Sequence, residues 1–325
     1  MKALVCREYG PPESLRIGEV QRPAVGTRQV RIGVRAAGLN FPDTLMISGK
    51  YQVKPDFPFS PGMECAGVVT EVGSDVSGFQ VGDRVMSVPG FGCLAEEVAV
   101  DDSRVYPIPD GVSFVDAAGM PTTYGTVFYA LSQRARLRAG ETLLVHGAAG
   151  GVGLCAVELG KSFGATVIAC ASSDEKLSLA SKHGADHLIN SSKEDFRNQV
   201  KLLTGGKGAD VIFDPVGGDV FDQSLRCIAW DGRLLIVGFA SGRIPQIPAN
   251  LVLLKSCDIV GVFWGAFAIR EPESVRRDFR QVFEWCEAGR LKPYISRTFP
   301  LESTPAAMRE LLERRALGKL VITVS

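Results

Sequence analysis

Residues 143 to 153 read Leu-Leu-Val-His-Gly-Ala-Ala-Gly-Gly-Val-Gly, an apolar run that passes directly into glycines at 147, 150, 151 and 153. A helical pattern over 154–163 follows, and after one helix length comes a second apolar run, 165–171. Strand, glycine turn, helix and strand in that order define a βαβ unit. Glycines let its first turn bend tightly and approach an anion closely, while the helix start aims unpaired N–H groups and positive dipole at it. Ala149, Gly150, Gly151, Val152 and Gly153 are therefore the expected pyrophosphate cradle of a dinucleotide. A purely structural βα turn is the plainer alternative.

The end of the second strand bears on which dinucleotide is held. Sites for the unphosphorylated ribose place an acidic side chain about 20 residues after the turn, where it would repel a 2′-phosphate. Here the positions are Ala171, Ser172 and Ser173, and Lys176 follows within the next helix. Ser172 and Lys176 point to NADPH, Lys176 acting as a point charge; the alternative for Lys176 is a solvated helix-face lysine. Asp174 and Glu175 read as helix-start acids that complement the dipole.

A chain of 325 residues, 46% hydrophobic, is long enough for two cores. Lys plus Arg equal Asp plus Glu at 36 each, so no global field favours nucleic acid or an anionic membrane. The start, Met-Lys-Ala-Leu-Val-Cys, shows neither a signal peptide nor an Arg-rich transit pattern, and no apolar run spans a bilayer; a cytoplasmic protein is expected. The eight cysteines contain no Cys-x-x-Cys pair and read as reduced, buried thiols.

Short strand patterns at 30–35, 66–72, 83–88 and 95–100, separated by Gly, Pro and Asp turns, predict a β-barrel-like unit. From 141 the rhythm becomes β-α-β, with strands expected at 142–146, 166–170, 187–190, 211–214, 234–237 and 259–263, a six-stranded doubly wound parallel sheet. Helical patterns at 272–289 and 303–316 and a closing strand at 319–324 return to the first unit. The expected α/β organisation is thus a barrel-like first domain over 1–120, a dinucleotide domain over 121–264, and a return to the first domain over 265–325.

Gly62-Met63-Glu64-Cys65-Ala66-Gly67-Val68-Val69, Val81-Gly82-Asp83-Arg84-Val85 and the turn 148–153, in that order, resemble the medium-chain dehydrogenase/reductase superfamily, a GroES-like barrel followed by a Rossmann domain. Gly38-Leu39-Asn40-Phe41-Pro42-Asp43 with Gly49-Lys50-Tyr51 is similar to its zinc-free NADPH:quinone oxidoreductases. The resemblance implies NADPH-dependent reduction of quinones or α,β-unsaturated carbonyls by a homodimer. Zinc-dependent relatives carry a cysteine where Asn40 stands and a histidine where Met63 stands, and their four-cysteine structural site is absent. Lacking that Lewis acid, a conjugated acceptor is the more plausible substrate.

Catalytic roles fall to Asn40, an amide donor and cofactor contact, and Tyr51, a phenol able to donate to a developing oxyanion. Each has a plainer reading, as a turn amide before Pro42 or as a half-buried loop aromatic. The resemblance adds Thr126 and Ser191 as cofactor contacts, and fold position adds Phe239 and Phe263 as nicotinamide walls, unless they are core. Leu45 and Ser191 stand where many bacterial relatives have tyrosines, which makes the pocket more apolar and rests the 2′-phosphate on Ser172 and Lys176. The apolar run 258–264 reads as the last strand, an edge expected to pair with its twin. His146, one of three histidines, reads as a packed core residue. An enoyl-thioester or enone reductase is the nearest rival function, and an NADPH-binding or RNA-binding crystallin-like protein a more distant one, disfavoured by the balanced charge.

Overall fold

The computed structural model describes residues 1–324. They divide into two compact units, one comprising residues 1–122, 265–283 and 293–324, the other Thr123–Trp264 and Glu284–Lys292. Lys2–Val5 (β1), Arg16–Glu19 (β2), Gln29–Leu39 (β3), Glu64–Val72 (β4), Arg84–Ser87 (β5), Glu97–Asp101 (β6) and Val105–Pro107 (β7) belong to the first unit. Thr142–His146 (β8), Thr166–Ala171 (β9), His187–Asn190 (β10), Ala209–Asp214 (β11), Ile228–Ile236 (β12) and Asp258–Gly261 (β13) belong to the second. The first unit is completed by Ile295–Pro300 (β14) and Lys319–Thr323 (β15).

In the first unit the strand order is β14-β15-β3-β4-β5-β7, with β6 also pairing β3. The long β3 carries β-branched residues at the alternate positions 30, 32 and 34 and small residues at 36–38, and it buries Val30, Ile32, Val34, Ala37 and Leu39 in one apolar core with Val69, Val85, Val100 and Ile322. Two registers bring distant polar residues together. β15 runs antiparallel to β3 with Leu320 opposite Leu39, and β4 runs antiparallel to β3 with Glu64 opposite Gly38. Lys319 and Asn40, each one step beyond the first of these pairs, are thereby brought to the same end of the sheet as Glu64.

The second unit holds six parallel strands in the order β10-β9-β8-β11-β12-β13, the doubly wound arrangement expected from the β-α-β rhythm. Helices on a parallel sheet bury both faces of its strands, which is why Leu143, Leu144 and Val145 are all fully buried and the strand reads as an unbroken apolar run. The last strand stops at Gly261, two residues short of the sequence expectation, because Trp264–Arg270 is a helix. Buried Trp264 packs so closely on Gly125 that a Cβ there would collide with its indole. Glu284–Lys292, which the sequence reading placed with the return segment, is compact with the second unit. Trp285 packs on Phe128 and Phe163, and the Lys292 amide donates to Glu158 at 3.3 Å. No helix among the described residues is long and apolar enough to cross a membrane.

Candidate cofactor and catalytic sites

Each cofactor candidate of the second unit except Thr126 follows the carboxyl end of one of its parallel strands. The turn Gly147–Gly150 leaves β8 with Gly147 in the left-handed region at φ +59°. A Cβ on Gly153 would collide with the Gly147 carbonyl, so the helix Gly151–Ser162 sits against the turn at a distance only glycine permits. Its N-cap is Gly150, which has no side chain to satisfy the first-turn N–H groups, leaving them for an anion. Within the turn Ala149 is buried, and Val152 in the following helix is half-buried. Ser172 follows β9, Ser191 follows β10, Phe239 follows β12 and Phe263 follows β13. Thr126 lies half-buried in the helix Pro121–Phe128. Phe239 and Phe263 are 37% and 55% exposed, which excludes them from the core of the chain.

Ser173 caps the helix Asp174–Lys182 by accepting from the Lys176 amide, and the Lys176 ammonium reaches Ser172 Oγ at 3.3 Å. No carboxylate stands at the end of β9. Asp214, which ends β11, is spent locally, accepting from the Val216 and Gly217 amides at 2.8 and 2.9 Å, with burial pushing its carboxyl up. His146 is buried, 2.9 Å from Ser224 Oγ and edge-on to Phe196. Burial alone lowers it to about 3, so the imidazole is neutral.

In the first unit Asn40 lies between β3 and the helix Phe41–Ile47, and it is 7% exposed. Its side chain is engaged at both ends. Oδ1 accepts from the Lys319 ammonium at 2.6 Å, and Nδ2 donates to Glu64 Oε1 at 2.7 Å. Lys319 also meets Glu64 Oε1 at 2.5 Å, and the Thr122 amide donates to Glu64 Oε2 at 2.6 Å. These contacts fix which end of the amide carries oxygen, because an ammonium needs an acceptor and a carboxylate needs a donor. One N–H of Nδ2 remains, meeting only the Gly38 carbonyl at 3.5 Å. Asp43 Oδ2 accepts from the Asn40 amide at 2.8 Å, and complete burial raises Asp43 to about 7, opposed by that hydrogen bond and by Lys319.

Tyr51 lies half-buried in a loop, packed against the same core. Burial, followed by the charge of Asp43, raises its phenol above the ordinary value, so at neutral pH it holds its proton and is a donor. Glu64 and Lys319 were not among the residues expected to act. The available signal was a lysine opening an otherwise apolar strand, Lys-Leu-Val-Ile-Thr, in which it is 5% exposed.

Two family models match the chain, an alcohol dehydrogenase GroES-like domain over residues 26–110 and a zinc-binding dehydrogenase domain over residues 151–288. A quinone oxidoreductase-like protein 2 homolog of Nematostella vectensis is 44% identical over 99% of this chain and 88% of its own length. Among solved structures, the Escherichia coli quinone oxidoreductase complexed with NADPH is similar with a TM-score of 0.93 and 28% identity, over the whole of both chains. CurK enoyl reductase is similar with a TM-score of 0.90 and 29% identity, over the whole of this chain and 99% of its own. A barrel with β3 at its centre, a 3-2-1-4-5-6 parallel sheet with its glycine turn, and identity of this extent lead to one conclusion: the chain belongs to the quinone oxidoreductase family of the medium-chain dehydrogenase/reductase oxidoreductases.

Proposed function

We propose that the protein is a zinc-independent, NADPH-dependent reductase of quinones or closely related conjugated carbonyls. The observation that carries the cofactor reading is the pairing of the glycine cradle after β8 with the Ser172–Lys176 contact after β9, a strand whose own end carries no acid to accept from a ribose 2′-hydroxyl. Ala149 to Gly153 would hold the pyrophosphate, Ser172, Lys176 and Ser191 the 2′-phosphate, and Thr126, Phe239 and Phe263 the nicotinamide end. NADPH bound there supplies the hydride.

The chain's own contribution is a donor for the oxygen that gains charge. Tyr51 holds its proton at neutral pH and gives a hydrogen bond or the proton itself. The second N–H of Asn40, held only by the long 3.5 Å contact with the Gly38 carbonyl, is a second donor for the acceptor, its direction set by Lys319 and Glu64. Zinc does not fit these residues. Asn40 Oδ1 and Glu64 Oε1, two of the oxygens a cation would need, are bound to an ammonium, and Met63 offers only a thioether. Among the described residues no group of three or more His, Cys, Asp or Glu could hold a metal ion.

The exposed apolar side chains Leu253 and Leu254 lie on the helix Ala249–Lys255, which buries none of its residues, and β13 ends the sheet with an unpaired edge. That combination fits a homodimer through this edge, and Leu253→Glu with Leu254→Glu should give monomers by light scattering. Eight cysteines with no disulfide among the described residues fit a cytoplasmic setting.

Absorbance at 340 nm with NADPH and a panel of a naphthoquinone, an enone and a crotonyl thioester tests the reaction. Turnover confined to the thioester would replace quinone reduction with enoyl reduction, the reading favoured by the likeness to CurK enoyl reductase. Binding of NADPH with no turnover of any acceptor would favour a non-catalytic NADPH-binding protein.

A further inference from the structure

The loops after β9 and β10 are bound side by side. The Ser191 amide donates to the Ala171 carbonyl at 2.9 Å, and Ser192 Oγ to the Ser172 carbonyl at 2.9 Å. Across this seam both oxygens of the Asp174 carboxylate are engaged from the second loop. Asn190 Nδ2 donates to one at 2.6 Å, and Lys193 Nζ donates to the other at 2.6 Å. Asn190 is 6% exposed and its own oxygen accepts from the Ser192 amide, so it acts as a fixed strut that sets where the carboxylate sits. Asp174 is thus held in the first turn of the helix that carries Lys176, beside the serines assigned to the 2′-phosphate.

We infer that Lys193 is a specificity-determining residue of the dinucleotide site: it neutralises Asp174, a carboxylate that would otherwise repel a 2′-phosphate and favour the unphosphorylated ribose. This role rests on NADPH being the cofactor of the site. The Lys193 contact with Asp174 holds that carboxyl below the usual range, so it carries a charge that needs an answer. The pair is exposed on both sides, 64% for Lys193 and 71% for Asp174, and ion pairs of that kind add little to folding. Its purpose is then sought in what approaches it. A dianionic 2′-phosphate meets a compensated carboxylate when Lys193 is present and a repulsive one when it is not, whereas the neutral ribose of NADH is indifferent. Selectivity would therefore be shared between Lys176, which attracts the phosphate, and Lys193, which removes an objection to it.

The test measures dissociation constants of NADPH and NADH by nicotinamide fluorescence in wild type, Lys193→Ala, Asp174→Asn and the double variant. Lys193→Ala should weaken NADPH about fivefold at low salt and leave NADH within about twofold, the difference shrinking as salt screens it. Asp174→Asn should bind NADPH at least as tightly as wild type. The double variant should recover wild-type NADPH affinity, because with no carboxylate there is nothing to neutralise. A double variant as weak as Lys193→Ala would mean that Lys193 touches the phosphate directly, and four equal proteins would make the pair a mere surface contact; either result overturns the inference. A wild type that prefers NADPH while Lys193→Ala is silent refutes only this step. A wild type without preference for NADPH, and with Lys176→Ala equally without effect, refutes the cofactor reading and this inference together.

Discussion

Replacing Lys319 by methionine tests whether the buried cluster of the first unit is held by its single ammonium. Lys319 and Glu64 have side chains 6% and 0% exposed, with 2.5 Å between Nζ and Oε1. At an effective dielectric constant of about 20 that separation corresponds to an attraction of about 6–7 kcal/mol before desolvation is charged against it. Methionine keeps most of the volume but strands the Glu64 carboxylate in the interior and leaves Asn40 Oδ1 without its donor. A buried pair broken from one side costs about 3–5 kcal/mol, and that is the loss expected at pH 7. Asp43, whose carboxyl Lys319 helps to hold down, should protonate at still higher pH once the ammonium is gone. All three tryptophans, at 230, 264 and 285, belong to the second unit, so their fluorescence would miss the event. Amide hydrogen exchange in β3 and β15 during urea unfolding reports it directly. Lys319→Met with Glu64→Gln should regain at least half of the loss, since no charge is then left unpaired. A single-variant loss below about 1 kcal/mol, or a double variant no better than the single, would refute the reasoning.

Tyr51→Phe should leave NADPH binding intact and lower turnover about 10²–10⁴-fold with enones or thioesters but much less with quinones, whose phenolate product can take its proton from water; equal wild-type rates would leave Asn40 as the donor. Lys176→Ala should weaken NADPH by about 1.5–3 kcal/mol with little change for NADH, read by fluorescence titration. The carboxyl of Asp43 is raised from 3.8 to about 7, so the stability it confers is fully present below about pH 4 and is lost as pH rises through 7. Asp43→Asn mimics the protonated form, and its stability relative to wild type should rise by up to about 4 kcal/mol between pH 4 and 8 in urea titrations; a difference flat in pH would show that Asp43 stays charged throughout. Elemental analysis should find no stoichiometric zinc, and about one ion per chain would contradict the engagement of Asn40 and Glu64 by Lys319.

The sequence by itself determined the parts whose physics is local. The glycines at 147 and 153 are demanded by a positive φ and a close carbonyl approach within one βα turn. The apolar runs of β8, β9 and β11 carry the parallel sheet because strands buried on both faces have no polar side to show. Ser172 and Lys176 were legible for the same reason, lying four residues apart on either side of a helix start. Tertiary structure alone decided the rest. Nothing near Asn40 in the chain announces that a lysine 279 residues later takes its oxygen, or that Glu64 takes its N–H from across a strand pair. Those contacts follow from the registers of β15 and β4 on β3, and register is set by which face of each strand is buried, a property of the assembled sheet. The pairing of Lys193 with Asp174 has the same origin, since β10 must first lie beside β9 before the two loops can exchange charge. Fold class is written in periodicity, which neighbouring residues carry together. Electrostatic partnership depends on distance in space, which only the assembled sheet supplies.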